Sequence, residues 1–175
     1  MTTVIFSHGQ ESGPWGTKIL TMAELVRGMG CVADSIDYQG IADPTARVDK
    51  LVSECRDIDD RLILVGSSMG GHVATAAADA LGAAGLFVLA PAYYMEGYED
   101  LTPAAPKMPI CIVHGWRDDV VPIENSIRFA SKCHATLHLV DGDHRLTDNI
   151  DEINEFLRRF VERVSEIRNS EGGDK

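Results

Sequence analysis

Short apolar runs alternate along this chain with longer segments in which apolar and polar residues mix at helical spacing. The runs occupy residues 4–6, 32–36, 62–65, 86–89, 110–113 and 137–140, and end in Gly or a polar turn. Each gap between them is long enough to hold a helix, so the chain reads as repeated strand and helix. Because the runs are largely apolar instead of alternating, they predict strands covered on both faces, which means a mostly parallel sheet.

The gaps carry helix signals of their own. Over residues 17–29, Ile19, Leu20, Ala23, Leu25 and Val26 form one broad apolar stripe, and Asp43-Pro44 supplies an N-cap followed by proline at the first helical position. Residues 70–81 are rich in alanine, a helix start is expected near Pro122, and Ile150, Ile153, Phe156, Leu157, Phe160, Val161 and Val164 trace a 3.6-residue stripe. Strand, crossover and parallel strand connect right-handedly, which predicts a three-layer α/β domain with helices on both faces of about six strands. That domain is expected over residues 1–168, with a disordered polar tail over 169–175. Ligands of such sheets sit beyond the carboxyl ends of the strands.

Composition narrows the partners. A chain of 175 residues buries enough apolar surface for one domain without disulfides or metals. Its net charge of -11, with 27 acids against 16 bases and no basic run, argues against nucleic acid and anionic membranes as partners. Asp57, Asp59 and Asp60 read as a solvated loop, not a cation site. Cys31, Cys55, Cys111 and Cys133 are widely spaced, without metal-ligand spacing, so they are expected to be reduced and partly buried; no metal is expected. Met1-Thr2-Thr3 runs straight into an apolar strand with no basic leader, and no apolar stretch reaches bilayer length, which predicts a cytoplasmic protein.

The chemistry lies at the strand ends. Gly66-Ser67-Ser68-Met69-Gly70-Gly71 follows the third run and precedes the alanine-rich helix, which matches G-x-S-x-G in its strand-turn-helix context with Ser68 as nucleophile. The flanking glycines fit a strained turn where a side chain would strike a neighbouring element. A phosphate-binding loop is the competing reading, but the lysine of G-K-[ST] is missing. A hydroxyl needs a base, and the base needs an acid to hold its tautomer. Of six histidines, His144 sits on a loop past the last strand and suits the base. His114, His138, His134 and His72 read as structural, and His8 belongs to the loop after the first strand. Asp118 and Asp119, after the fifth strand, both qualify as the acid, and spacing does not separate them. Acyl transfer also needs two N–H groups for the developing oxyanion. Met69, next to the nucleophile, and Gln10, on the first loop, are placed to supply them, with His8 and Gly9 shaping that loop.

Four segments in order resemble the α/β-hydrolase superfamily from about residue 4 to 164. Ser7-His8-Gly9-Gln10 is similar to its oxyanion loop and Gly66-x-Ser68-x-Gly70 to its nucleophile elbow. His114-Gly115-x-x-Asp118-x-x-Val121-Pro122 resembles its acid loop and Gly142-Asp143-His144 its histidine loop. The resemblance implies Asp118, not Asp119, as the acid. The chain lacks the family's two leading antiparallel strands, which implies a minimal six-stranded sheet. Residues 90–109 leave room for no separate cap domain. Three tyrosines cluster in that segment, and Tyr93 and Tyr94, with Trp15 and Trp116 on the neighbouring loops, are candidates for lining the substrate pocket.

The expected function is therefore a serine hydrolase acting on a small-molecule ester or thioester, with small or flexible acyl groups and no cofactor. Amide, carbon-carbon or perhydrolase chemistry would use the same triad. The alternative from another class is a binding or regulatory protein on a hydrolase scaffold.

Overall fold

The structure is a computed structural model that describes residues 1–171, with side chains to residue 167. Six parallel strands, β1 (Thr2–Ser7), β2 (Val32–Ile36), β3 (Arg61–Ser67), β4 (Gly85–Leu89), β5 (Ile110–Gly115) and β6 (Thr136–Val140), form one sheet in the order β2-β1-β3-β4-β5-β6. Between them run α1 (Thr17–Gly28), α2 (Pro44–Cys55), α3 (Met69–Ala78) and α4 (Ile123–Cys133), and α5 (Ile150–Glu171) closes the chain.

The inner strands are apolar throughout because both of their faces are covered. Val4, Phe6, Ile63, Val65, Phe87, Leu89, Cys111 and Val113 pack under α1 and α5. The alternate residues Ile5, Leu62, Leu64, Leu86, Val88, Ile110 and Ile112 pack under α2, α3 and α4. The edge strands depart from this expectation. β2 carries Asp34 and Ser35 and is half-exposed, and β6 is also only partly covered, since an edge strand has a partner on one side alone.

Local signals explain the helix boundaries. Asp43 accepts the Ala46 N–H at 2.8 Å and Pro44 opens α2, while Pro122 precedes α4. α5 continues through residues 169–171, where a disordered tail was expected, because an established helix adds residues at little cost. The rest of the expected tail, 172–175, lies outside the described residues. Residues 90–109, between β4 and β5, hold a short 3-10 turn, Glu99–Leu101, and form no cap domain.

Strand order also locates the site. The chain steps from β1 outward to β2, then returns to the other side of β1 and proceeds outward through β3 to β6. The loops after β1 and β3 therefore leave the sheet side by side at the point where the winding reverses, and such switch points form the binding crevice of doubly wound sheets.

Candidate active site

Ser68 occupies the turn between β3 and α3 with φ 54° and ψ -119°, a left-handed conformation that costs a serine roughly 1–3 kcal/mol. The surroundings impose it. A Cβ on Gly66 would lie 2.2 Å from the Gly70 carbonyl oxygen, and one on Gly70 would lie 2.0 Å from that of Ser7. Only glycine lets the turn close and lets α3 start against the end of β1. The Ser68 N–H is held by the Leu89 carbonyl at 2.9 Å, which ties the turn to β4.

His144 stands on the loop after β6. Asp143 Oδ1 accepts the Arg145 and Leu146 N–H groups at 3.0 Å each, which folds this loop back over the strand ends. Lys18 Nζ, from α1, donates to the Arg145 carbonyl at 2.7 Å. Burial pushes the Lys18 ammonium down to about 8, against the pull of Asp143 and Asp118. The His144 Nε2 lies 3.1 Å from Ser68 Oγ, and its Nδ1 lies 2.8 Å from Asp118 Oδ2.

The Asp118 side chain is fully buried, and burial alone would raise its carboxyl. Hydrogen bonds from His114 and His144, and from the Val121 and Val120 N–H groups at 2.8 and 2.9 Å, outweigh that and hold it well below the usual carboxylate range. An ionised carboxylate only accepts, so His144 donates through Nδ1 and presents a bare Nε2 to the Ser68 hydroxyl. The same logic fixes His114. Its Nε2 faces two acceptors, Asp118 Oδ2 and the Val121 carbonyl, both at 3.0 Å, so it carries the proton, and Nδ1 accepts from Ser126 Oγ at 2.7 Å. Asp119, the alternative acid, is exposed on the outer side of the loop. Such a chain of hydroxyl, imidazole and carboxylate can activate an oxygen nucleophile.

Residues 41–168 match the alpha/beta hydrolase domain family. The chain belongs to that family. No curated protein matches it in sequence. Among solved structures it is similar to a protein assigned to the alpha/beta hydrolase superfamily from Xanthomonas campestris pv. campestris. The two are 26% identical with a TM-score of 0.83, over 92% of this chain and 98% of that one. A serine hydrolase without lid from Xanthomonas campestris is 22% identical, with a TM-score of 0.73 over 93% of this chain and 81% of that one. Mouse alpha/beta hydrolase domain-containing protein 10 is 20% identical, with a TM-score of 0.79 over 93% and 90% respectively.

In this alpha/beta hydrolase a cavity of about 330 Å³ opens at Ser68. Ala42, Pro44, Met69, Met95, Leu101 and Val120 give it apolar walls, with Gln10 and His72 as polar members. Burial lowers the His72 imidazole and favours its neutral form. The structure does not bring the expected aromatic residues to this cavity. Tyr93 is fully buried, its hydroxyl 2.5 Å from Thr75 Oγ1 and its ring stacked on Phe129. Tyr94 faces α4 under Arg128, Trp15 lies on the outer surface beneath Arg27, and Trp116 is exposed on the far side of the acid loop beside Asp119 and Glu124. Tyr98, the third tyrosine of the same segment, does line the cavity, beside shorter side chains scattered over several segments.

The loop after β1 is held by His8, expected to shape it, and by Arg47, which gave no sign in the sequence. Arg47, on α2, is 2% exposed and donates Nε to the Ile41 carbonyl at 2.7 Å. His8 is fully buried and accepts the Tyr38 N–H on Nε2 at 2.9 Å. In sequence Arg47 sits among the polar positions of a surface helix, and only the loop folding over it makes it a core residue.

Proposed function

We propose that this protein is a serine hydrolase that cleaves carboxylic ester or thioester bonds through an acyl-enzyme intermediate. The observation that carries this reading is the continuous path from Ser68 Oγ to His144 at 3.1 Å and from His144 to Asp118 at 2.8 Å. Ser68 Oγ attacks the acyl carbon while His144 Nε2 takes its proton, and Asp118 stabilises the resulting imidazolium. The carbonyl oxygen becomes an oxyanion, received by the N–H groups of Met69 and Gln10. The first has no acceptor within α3 because it opens the helix, and the second has no acceptor among the described residues. Collapse returns the His144 proton to the departing alcohol or thiol. Water then attacks the acyl-enzyme with His144 as base and releases the acid and Ser68.

The acyl group is the part we assign to the cavity. At about 30 Å³ per non-hydrogen atom, taking the liquid volume of water as a scale, 330 Å³ accommodates about ten atoms. Apolar walls favour an uncharged alkyl or aryl acyl chain over a charged one. Four unpaired cysteines fit a reducing compartment such as the cytoplasm, and no helix among the described residues is long and apolar enough to cross a membrane.

A fluorophosphonate probe and Ser68→Ala test the reading together. The wild type should be labelled at Ser68, and Ser68→Ala should lose labelling and several orders of magnitude in kcat on 4-nitrophenyl butyrate. A folded wild type that resists the probe would favour the binding protein, and near-normal turnover by Ser68→Ala would sink the mechanism.

A further inference from the structure

We infer that Arg47, together with His8, is a positioning residue for the oxyanion hole: it locks the peptide between Gly9 and Gln10 so that the Gln10 N–H faces the reacting carbonyl. This rests on the serine hydrolase reading above and extends it to residues outside the triad.

The geometry is unusual for a buried cation. Among the described residues no carboxylate pairs with Arg47. Its guanidinium is satisfied by backbone oxygens: Ile41 at 2.7 Å through Nε, His8 and Gly9 at 3.4 and 3.3 Å through Nη1, and Gln10 at 3.4 Å through Nη2. The Tyr38 ring lies 5.3 Å from its Cζ. Burial lowers the guanidinium's affinity for its proton, with Tyr38 opposing, yet arginine stays charged in proteins. A buried charge without a counter-ion is costly, and here it spans three consecutive carbonyls of one loop.

The Gly9 carbonyl is the decisive one. It also accepts from His8 Nδ1 at 2.7 Å and from Ser12 Oγ at 3.4 Å, three donors in all with Arg47. His8 Nε2 accepts the Tyr38 N–H, so the proton of this imidazole must sit on Nδ1 and point at Gly9. No peptide bond among the described residues is cis. In a trans peptide the C=O of one residue and the N–H of the next point in opposite directions. Fixing the Gly9 oxygen toward His8 and Arg47 therefore fixes the Gln10 N–H away from them, and Gln10 lines the cavity with Ser68 and Met69. The positive charge on the carbonyl end also polarises that peptide and strengthens its N–H as a donor. The donor is thus aimed before substrate arrives, which is what makes such a site effective.

The test separates transition-state from ground-state binding. Arg47→Met keeps length and apolar contact but removes charge and fork, and Arg47→Lys keeps the charge alone. Each is assayed on 4-nitrophenyl butyrate and titrated with a phenylboronic acid, whose tetrahedral adduct fills the oxyanion site, and folding is checked by circular dichroism. Arg47→Met should lose about 100-fold in kcat and a similar factor in boronate affinity, the cost of one oxyanion donor, with KM changed less than about threefold. Arg47→Lys should fall between it and the wild type. If Arg47→Met does not fold, Arg47→Lys alone decides. Folded variants with wild-type kcat and boronate affinity, or with losses confined to KM, overturn the inference. Ser68→Ala, run alongside, keeps the two proposals distinct: if it still turns over, the serine mechanism fails, and if it is inactive while the Arg47 variants are normal, only the positioning role fails.

Discussion

His114 donates its Nε2–H to Asp118 at 3.0 Å from a position four residues earlier, next to the end of β5. Asp118 Oδ2 is thus shared by two imidazoles, one reaching the serine and one anchored to Ser126. His114→Phe would leave the carboxylate one donor short in a buried place. A hydrogen bond to a charged group contributes about 1.5–3 kcal/mol, so kcat should fall between about 10- and 100-fold. Steady-state kinetics alongside thermal melting checks this, because a rate loss that tracks only the unfolded fraction would contradict it.

The two adjacent aspartates make a sharp contrast. Asp118 is buried with four donors and Asp119 is exposed. Asp118→Asn puts an amide N–H or a mispaired tautomer against His144 and should cost about 10³–10⁴ in kcat, whereas Asp119→Asn should stay within about twofold. Equal losses from both would contradict the assignment of the acid.

Much of this was legible in the chain, and what was not has a common cause. The six strands and five helices follow from local periodicity. The elbow follows from turn chemistry, because a glycine that admits no Cβ, as at Gly66 or Gly70, is needed for a backbone reason that does not depend on distant residues, whereas the choice of Asp118 over Asp119 rests on the family resemblance. The cavity walls and Arg47 depend on contacts across the fold. Nothing local distinguishes Met95 or Leu101 from any loop residue. Tyr93, conspicuous in sequence, is spent on the core because Phe129 and Thr75 meet it there. The edge strand β2 shows the converse, since its Asp34 and Ser35 were visible but their exposure is set by strand order.

Three imidazoles that burial lowers, His8, His72 and His138, and the Asp118 carboxyl make folding stability fall on acidification, in separate windows. Burial lowers the His8 imidazole, with Arg47 adding to this and the Gly9 bond and Asp37 opposing it. A base depressed in the fold binds more protons unfolded, so its stabilisation is full above about 6.5 and is lost as pH falls through its folded value. Asp118 is depressed as a carboxyl, so its contribution is full above about 3.9 and declines only below that. Urea midpoints measured from pH 8 to 3 should show a first decline in the wild type that is smaller in His8→Gln, which keeps a donor and an acceptor without the titration, the remainder belonging to His72 and His138. A first decline of undiminished size in His8→Gln would place it on the other two imidazoles alone.

Cavity size sets the last expectation. Each methylene moved from water into the apolar cavity gains about 0.8 kcal/mol, nearly fourfold in kcat/KM if the acyl chain is held there in the transition state. The gain should continue along a series of 4-nitrophenyl esters until the acyl group reaches about ten non-hydrogen atoms, and then stop or reverse as the chain meets the walls. Met95→Trp fills part of that volume and should move the optimum to shorter chains while leaving the fluorophosphonate labelling rate of Ser68 within about twofold. Because Met95 lies on the segment between β4 and β5 and makes no hydrogen bond to the triad, a loss on the shortest ester as large as on the longest would mean that the acyl chain does not enter this cavity.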